Sequence, residues 1–300
     1  MKTLTTKIDT AGWARFLAEY RRSTGATLAA LVLGALLLSA LLAPWISPQN
    51  PYDLAQVDVL DARLPPGSAS TDGKLSYWLG TDAQGRDMLS AILYGLRISL
   101  LVGFSATLLA VAIGIAVGLV AGYFGGRFDA LLMRMADMQL SFPAILVALI
   151  LIAVLGQGTG KVIAALVAAQ WAYYARTLRG VVLVERQREY IAAARVLALP
   201  VRSILFRHLL PNCMPALIVV GALQVASAIA LEATLSFLGV GLPITEPSLG
   251  LLIANGFTYL LSGKYWISFF PGLALLITIM SINLVADQLR DVLNPRLRVD

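Results

Sequence analysis

The sequence predicts an all-α, polytopic membrane protein with six transmembrane helices and both termini inside. Three observations predict it. Hydrophobic residues make up 58% of the 300, charged residues 13%, and mean hydropathy is +0.79, whereas soluble domains carry roughly 25% charged residues. Apolar runs recur: Thr27–Ala43 and Ile98–Gly126 carry no charge, and others cover about 138–160, 162–175, 213–231 and 267–286. A bilayer crossing takes about 20 mostly apolar residues. Six crossings from an inside N-terminus place 17 of the 23 basic residues inside, as the Lys/Arg excess of cytoplasmic loops requires.

The elements follow in order. Residues 1–26 form a cytoplasmic tail. In it Trp13, Phe16, Leu17 and Tyr20 share one face of a short amphipathic helix, suited to a membrane surface. Residues 27–47 are the first transmembrane helix. It reads as a retained anchor, because Pro44 and Trp45 stand where a cleavage site would need small residues. Residues 48–92 are an external hydrophilic segment. Asp82 is read there as the cap of an amphipathic run over 86–95. Residues 93–291 carry five further helices, and 292–300 are a cytoplasmic tail. Trp45, Tyr259, Tyr265 and Trp266 suit an interfacial aromatic belt.

Several chemistries are excluded. One cysteine, Cys213, cannot form an intrachain disulfide, and with a single histidine, His208, no His/Cys metal site can be built. Nucleic-acid binding by the arginine-rich stretch 176–208 lacks interleaved stacking aromatics. The stretch "LGQGTGKVIAAL" (155–166) imitates a phosphate loop. Its glycines enclose three residues rather than four, Val162 follows the lysine, and no strand precedes it. It reads as a tight turn between spans, with glycines for positive φ.

The internal segment, about 184–211, carries the richest pattern. Helix formers run over 184–197, Pro200 breaks them and suits the start of a short helix over 200–208, and Pro211 breaks the chain again. The residues alone leave two readings open: a device that docks a soluble partner, or a basic loop against lipid headgroups. Ala193-Ala194, Ala198 and, nine residues later, His208-Leu209-Leu210-Pro211 resemble the EAA loop of ABC importer permeases, E-A-A-x3-G-x9-I-x-L-P. "RHLLPN" (207–212), "LGTDAQGRDMLSAILYGLRISL" (79–100), "GLVAGYFGGRFDALLMRMADMQLSFP" (118–143), "EATLSFLGVGLP" (232–243) and "FFPGLALLITIMSINLVADQLRDVLNPRL" (269–297) are similar to the peptide/nickel permease family, second-permease type. The resemblance spans about 25–300.

The resemblance implies the type I importer fold and a non-catalytic subunit. Two permeases, expected as a heterodimer, line the pore in the bilayer. Two ATPase subunits hold ATP and Mg, this chain holds no cofactor, and an external solute-binding protein delivers cargo. It assigns ATPase docking to Glu189, Tyr190, Ala193, Ala194, Arg195, Ala198, Leu199, Pro200, Arg202, Arg207, His208, Leu210 and Pro211. Ala192 and Ala198 stand where the family carries Glu and Gly. A left-handed alanine costs roughly 1 kcal/mol, so the expectation is that Ala198 is not left-handed and the bend centres on Leu199-Pro200. The implied cargo is di- or oligopeptides, with nickel, opines or other small solutes as the alternative.

Two further expectations concern charges in the helices. Glu232, in the fifth span, is a candidate for the pathway or its gate, with a structural carboxylate as the other reading. Arg134 and Asp137, three apart, read as a local ion pair. The rival classes are weaker. A stand-alone secondary transporter leaves 188–211 without a purpose, and an intramembrane enzyme lacks paired catalytic groups at depth.

Overall fold

The computed structural model describes residues 18–53, 56–243, 245–246 and 248–293; the expected tail face at Trp13, Phe16 and Leu17 and the tail beyond residue 293 lie outside them. The chain is a helical bundle. α1 is Thr24–Ile46, α2 Met88–Phe124, α3 Gly126–Leu140, α4 Ala144–Leu155 and α5 Thr159–Glu185. α6 is Glu189–Val196, α7 Val201–Phe237, α8 Leu249–Phe257 and α9 Trp266–Leu293. Two-residue strands, β1 (Ser68–Ala69) and β2 (Ser76–Tyr77), pair antiparallel between α1 and α2.

α1, α2, α7 and α9 are each long and apolar enough to cross a membrane. Their surfaces invert the soluble pattern. α1 buries only Ala26, Ala29, Ala40 and Ala43, while Leu28, Leu31, Leu38 and Leu41 are exposed. Small residues let helices approach closely, and the large apolar ones face outward, as a lipid solvent allows.

The third expected span is not one helix. α3 and α4 pass the same length and hydropathy test only together, and they bend by 89°. Pro143 has no N–H to donate and disfavours helical geometry at Phe142. α4 is 12 residues, about 18 Å at 1.5 Å per residue, shorter than the roughly 30 Å hydrocarbon core. α3 instead runs across α5. Asp129 takes a two-pronged contact from Arg179 (3.0 and 2.6 Å), and Asp137 pairs with Arg176 at 3.3 Å. The expected Arg134–Asp137 pair is therefore replaced: Asp129 and Asp137 share a helical face, and that face meets α5.

The most extensive helix contact is α2 with α5. Glycines make it. A Cβ on Gly114 would stand 2.3 Å from the Tyr174 Cβ, one on Gly118 2.7 Å from the Ala175 carbonyl oxygen, and one on Gly122 2.7 Å from Val182 Cγ1. Four-residue spacing puts all three on one face, so the α2 backbone lies directly against Tyr174, Ala175, Leu178 and Val182 of α5.

Residues 48–87 fold over one end of this bundle. Asp61 is buried and accepts from Thr71 N (2.9 Å), Thr71 Oγ1 (2.5 Å) and the Tyr77 hydroxyl (2.7 Å). Burial pushes its carboxyl up, but these donors outweigh burial and hold it below the ordinary value. Asp82 is not a helix cap. It binds Arg86 Nε at 2.6 Å inside the segment, and Gly85, at φ 86°, prevents a helix from starting there. The cap of α2 is Asp87, which accepts from Ser90 N at 2.8 Å. Trp266 is no belt residue either: it is buried and donates from Nε1 to the Thr81 carbonyl at 3.2 Å. Trp45 and Tyr265 do lie exposed.

Candidate functional site

At the opposite end of α2, the chain leaves α5 through the turn Arg186–Arg188, so the expected unbroken helix over 184–197 is two helices. Arg186 fixes the turn by donating to the Gly122 carbonyl at 2.8 Å, across the end of the glycine seam. α6 then runs from Glu189. Its Ile191 and Ala194 face inward, against Leu119, Leu178, Val182, Leu205, Leu209 and Cys213. Glu189, Ala193 and Arg195 are exposed. Tyr190 donates to Glu185 at 2.7 Å, and burial together with that carboxylate pushes its hydroxyl up to about 12, keeping it a donor at neutral pH. The Arg195 guanidinium lies 5.4 Å from the centre of the Tyr123 ring.

The end of α6 overturns the expectation for Ala198. Its φ is 51°, squarely left-handed. Leu199 N donates to Ala194 O at 3.1 Å and Ala198 N to Arg195 O at 3.0 Å, the paired bonds of a Schellman cap. Leu199 packs into the apolar cluster beneath. Two hydrogen bonds and that contact outweigh the roughly 1–2 kcal/mol cost of a left-handed alanine, so the position keeps the glycine conformation without the glycine. Pro200 follows and starts the next helix.

That helix is not short, and Pro211 does not end it. α7 runs without a break from Val201 to Phe237, 37 residues. Ile204–Leu209 widen into a π turn, and Leu210 N reaches back to Leu205 O. One residue of slack accommodates a proline that cannot donate. Asn212 Nδ2 donates to the His208 carbonyl at 2.7 Å. Arg202, Arg207, Pro200 and Pro211 are exposed; His208 and Leu210 are half-buried.

The sequence reading missed the apolar residues that project from this segment. Val196 is 86% exposed and Leu197 72%, and Phe206 is also exposed. Arg195, Arg202 and Arg207 lie in the same exposed stretches. The signal was present as large apolar residues flanking the helix break in a basic loop. Glu232, by contrast, lies far along α7, fully buried, bonded to Ser99 at 2.9 Å and Ser236 at 2.7 Å. It ties α7 to α2. At "LGQGTG", Gly156 (φ 83°) and Gly158 (φ 138°) make the expected turn between α4 and α5, and Gln157 donates to the Gly239 carbonyl at 2.7 Å.

The profile of the family described as "Binding-protein-dependent transport system inner membrane component" matches residues 114–299. The chain belongs to this family. As a permease it also matches, over residues 12–66, the "N-terminal TM domain of oligopeptide transport permease C". It is 40% identical over 270 residues to a putative peptide transport system permease protein of Brucella suis, covering 90% of this chain and 87% of that one. It is 39% identical to the dipeptide transport system permease protein DppC of Escherichia coli K12, covering 93% and 91%. The Bacillus subtilis dipeptide transport system permease protein DppC is 36% identical over 89% of this permease and 80% of its own length. Among solved structures, an inward-facing MetNI methionine ABC transporter chain superposes with TM-score 0.57 at 18% identity, covering 69% of this permease and 98% of that chain. That likeness establishes the fold: an ABC importer permease. The chain is thus the membrane permease subunit of a binding-protein-dependent importer.

Proposed function

We propose that this permease imports di- or oligopeptides across a bacterial inner membrane, and that α6 and the first turns of α7 dock on a partner ATPase. The cargo reading is supported by the peptide and dipeptide permeases it resembles over most of their length. In this reading both termini and residues 186–209 face the cytoplasm and 48–87 face outward, in accord with the basic-residue count. The permease is non-catalytic. It works beside a second, homologous permease and two ATPases that bind ATP and Mg, and an external binding protein hands over the solute.

One observation carries the docking proposal: Val196, Leu197 and Phe206 project from a segment whose other face is firmly packed. Exposed apolar residues in a stretch that also exposes arginines are the anatomy of a protein interface. The bond set behind them, the Schellman cap and the π turn, holds the tips at fixed positions. The test is Phe206→Asp and Leu197→Asp in the complete importer. Each is expected to lower copurifying ATPase by about tenfold or more, as loss of a hot-spot contact does. The permease's own thermal stability is expected to change by less than about 0.5 kcal/mol, because both residues are exposed. Undiminished ATPase recovery would refute docking here.

A further inference from the structure

A second charged place in the molecule lies at the other end of α2. Arg97 is exposed on a helical face that continues through Leu101, Phe104 and Leu108, all exposed and apolar. It stands where the charge-free run Ile98–Gly126 begins, nine residues into α2 and so about 13 Å along its axis. Among the described residues no carboxylate lies within ion-pair distance of it. A guanidinium at that level avoids lipid and faces a water-filled space or a partner.

The space is present. A cavity of about 510 Å³ lies elsewhere in segment 48–87, but the one at Arg97 holds about 380 Å³ and is lined by Tyr52, Tyr94, Arg97, Leu101, Thr159 and Glu246. It is the size of a small-solute site. Tyr52 and Tyr94 meet edge to face at 5.3 Å and wall one side. Thr159, at the start of α5, donates its hydroxyl to the Glu246 carboxylate and so orients it. Burial, with the Glu246 carboxylate adding and the Arg97 guanidinium opposing, pushes the Tyr52 hydroxyl up to about 12. The cavity therefore offers a cation on α2 and an anion on the loop between α7 and α8, with two aromatic rings in the same lining.

We propose that Arg97 and Glu246 form a solute-reading station at the outer mouth of the pathway. The guanidinium takes the terminal carboxylate of a zwitterionic peptide and the Glu246 carboxylate takes its ammonium. A planar guanidinium matches a carboxylate with two parallel hydrogen bonds, which a lysine cannot do. The aromatic wall, with Tyr52 exposed and Tyr94 buried behind it, accepts varied side chains without reading them. The inference rests on the peptide-import reading above and extends it to named residues of this chain.

The test uses the complete importer in proteoliposomes, with binding protein outside. Uptake is followed for glycyl-leucine and for its C-terminal amide, each at a concentration saturating the binding protein. Arg97→Ala is expected to cut glycyl-leucine uptake by about tenfold or more, the scale of a lost charge-pair contact, while amide uptake and binding-protein-stimulated ATP hydrolysis stay within about twofold. Arg97→Lys is expected to recover part of the loss, which a misfolded or misassembled Ala variant could not explain. Glu246→Gln is expected to lower uptake of glycyl-leucine but not of its N-acetyl form. Wild-type rates in Arg97→Ala, or equal losses for acid and amide, would overturn the station. Hydrolysis falling in step with uptake would also overturn it and make Arg97 a docking residue. If the wild-type importer takes up no glycyl-leucine, the peptide reading fails first, and the station with it.

Discussion

Between α1 and α2 the chain is held in place by side-chain hydrogen bonds. Asp61 gathers Thr71 and Tyr77, Asp82 holds Arg86, and Gln49 accepts from Asp87 N at 2.7 Å while donating to the Gln56 carbonyl at 2.7 Å. Between α5 and α7 the chain is held by Ile191, Ala194, Ile204, Leu205 and Leu209, which sink into the bundle, while Val196, Leu197 and Phe206 remain in the open. The two segments lie at opposite ends of α2. The first is held by polar side chains that bond within the segment, the second by apolar side chains that enter the bundle. Both leave large apolar residues outside, Val59, Leu60 and Trp78 in the first and Val196, Leu197 and Phe206 in the second, so the difference lies in what anchors each segment: side-chain hydrogen bonds in one, apolar burial in the other.

Substitutions can break each half of this comparison separately. The largest effect is expected from Asp61→Ala. It strands three donors, one of them a buried tyrosine hydroxyl, at about 1–3 kcal/mol for each that stays buried and unpaired. We expect a total near 4 kcal/mol, read as lost hydrogen-exchange protection and new protease cleavage confined to 48–87, with α6 unchanged. Leu209→Ala should do the reverse. It opens a cavity in the apolar cluster at about 2–5 kcal/mol, exposing α6 to exchange while the Asp61 network stays protected. Should either variant loosen both ends equally, the two segments would not be independent. The smallest effect is expected from Ala198→Gly. Relief of the left-handed alanine, about 1 kcal/mol or more, is offset by the added freedom of the unfolded chain, about 0.4–1 kcal/mol. A gain of roughly 0.5 kcal/mol in detergent melts would sharpen the view that the Schellman cap, not the residue, sets this bend; a loss would contradict it.

Much of this was legible in the sequence, for physical reasons. Apolar runs report helices in lipid because nothing else can satisfy a backbone there, and α1, α2, α7 and α9 follow those runs. The family motifs located the segment 184–211. What was not legible turned on competition between local rules. At Ala198 the propensity argument weighed the residue but not the two cap hydrogen bonds or Leu199's burial. At Pro211 a missing donor was read as a break, although a π turn absorbs it. At Pro143 hydropathy ran smoothly through a 89° bend that the proline itself announces. The glycines at 114, 118 and 122 carried a readable close-packing signal that hydropathy ignores. Arg97 and Glu246 lie 149 positions apart in number, and only folding brings them to one cavity.

The glycine seam has a mechanical consequence. α2 is a single rod of 37 residues, about 55 Å long, that begins at the Asp87 cap and ends where Arg186 grips the Gly122 carbonyl. Bare α2 backbone along α5 leaves a single thin layer of side chains in the seam, that of α5. The two rods therefore behave as one beam with little give along its length. A push on the segment around Arg186 displaces the far end, where Asp87 and Arg97 sit, by rotation of the whole beam and not by bending within it. Compliance belongs instead to the joints, the bend at Pro143 and the turn at Gly156–Gly158, and these are where a stroke applied at one face would be taken up before it reached the other.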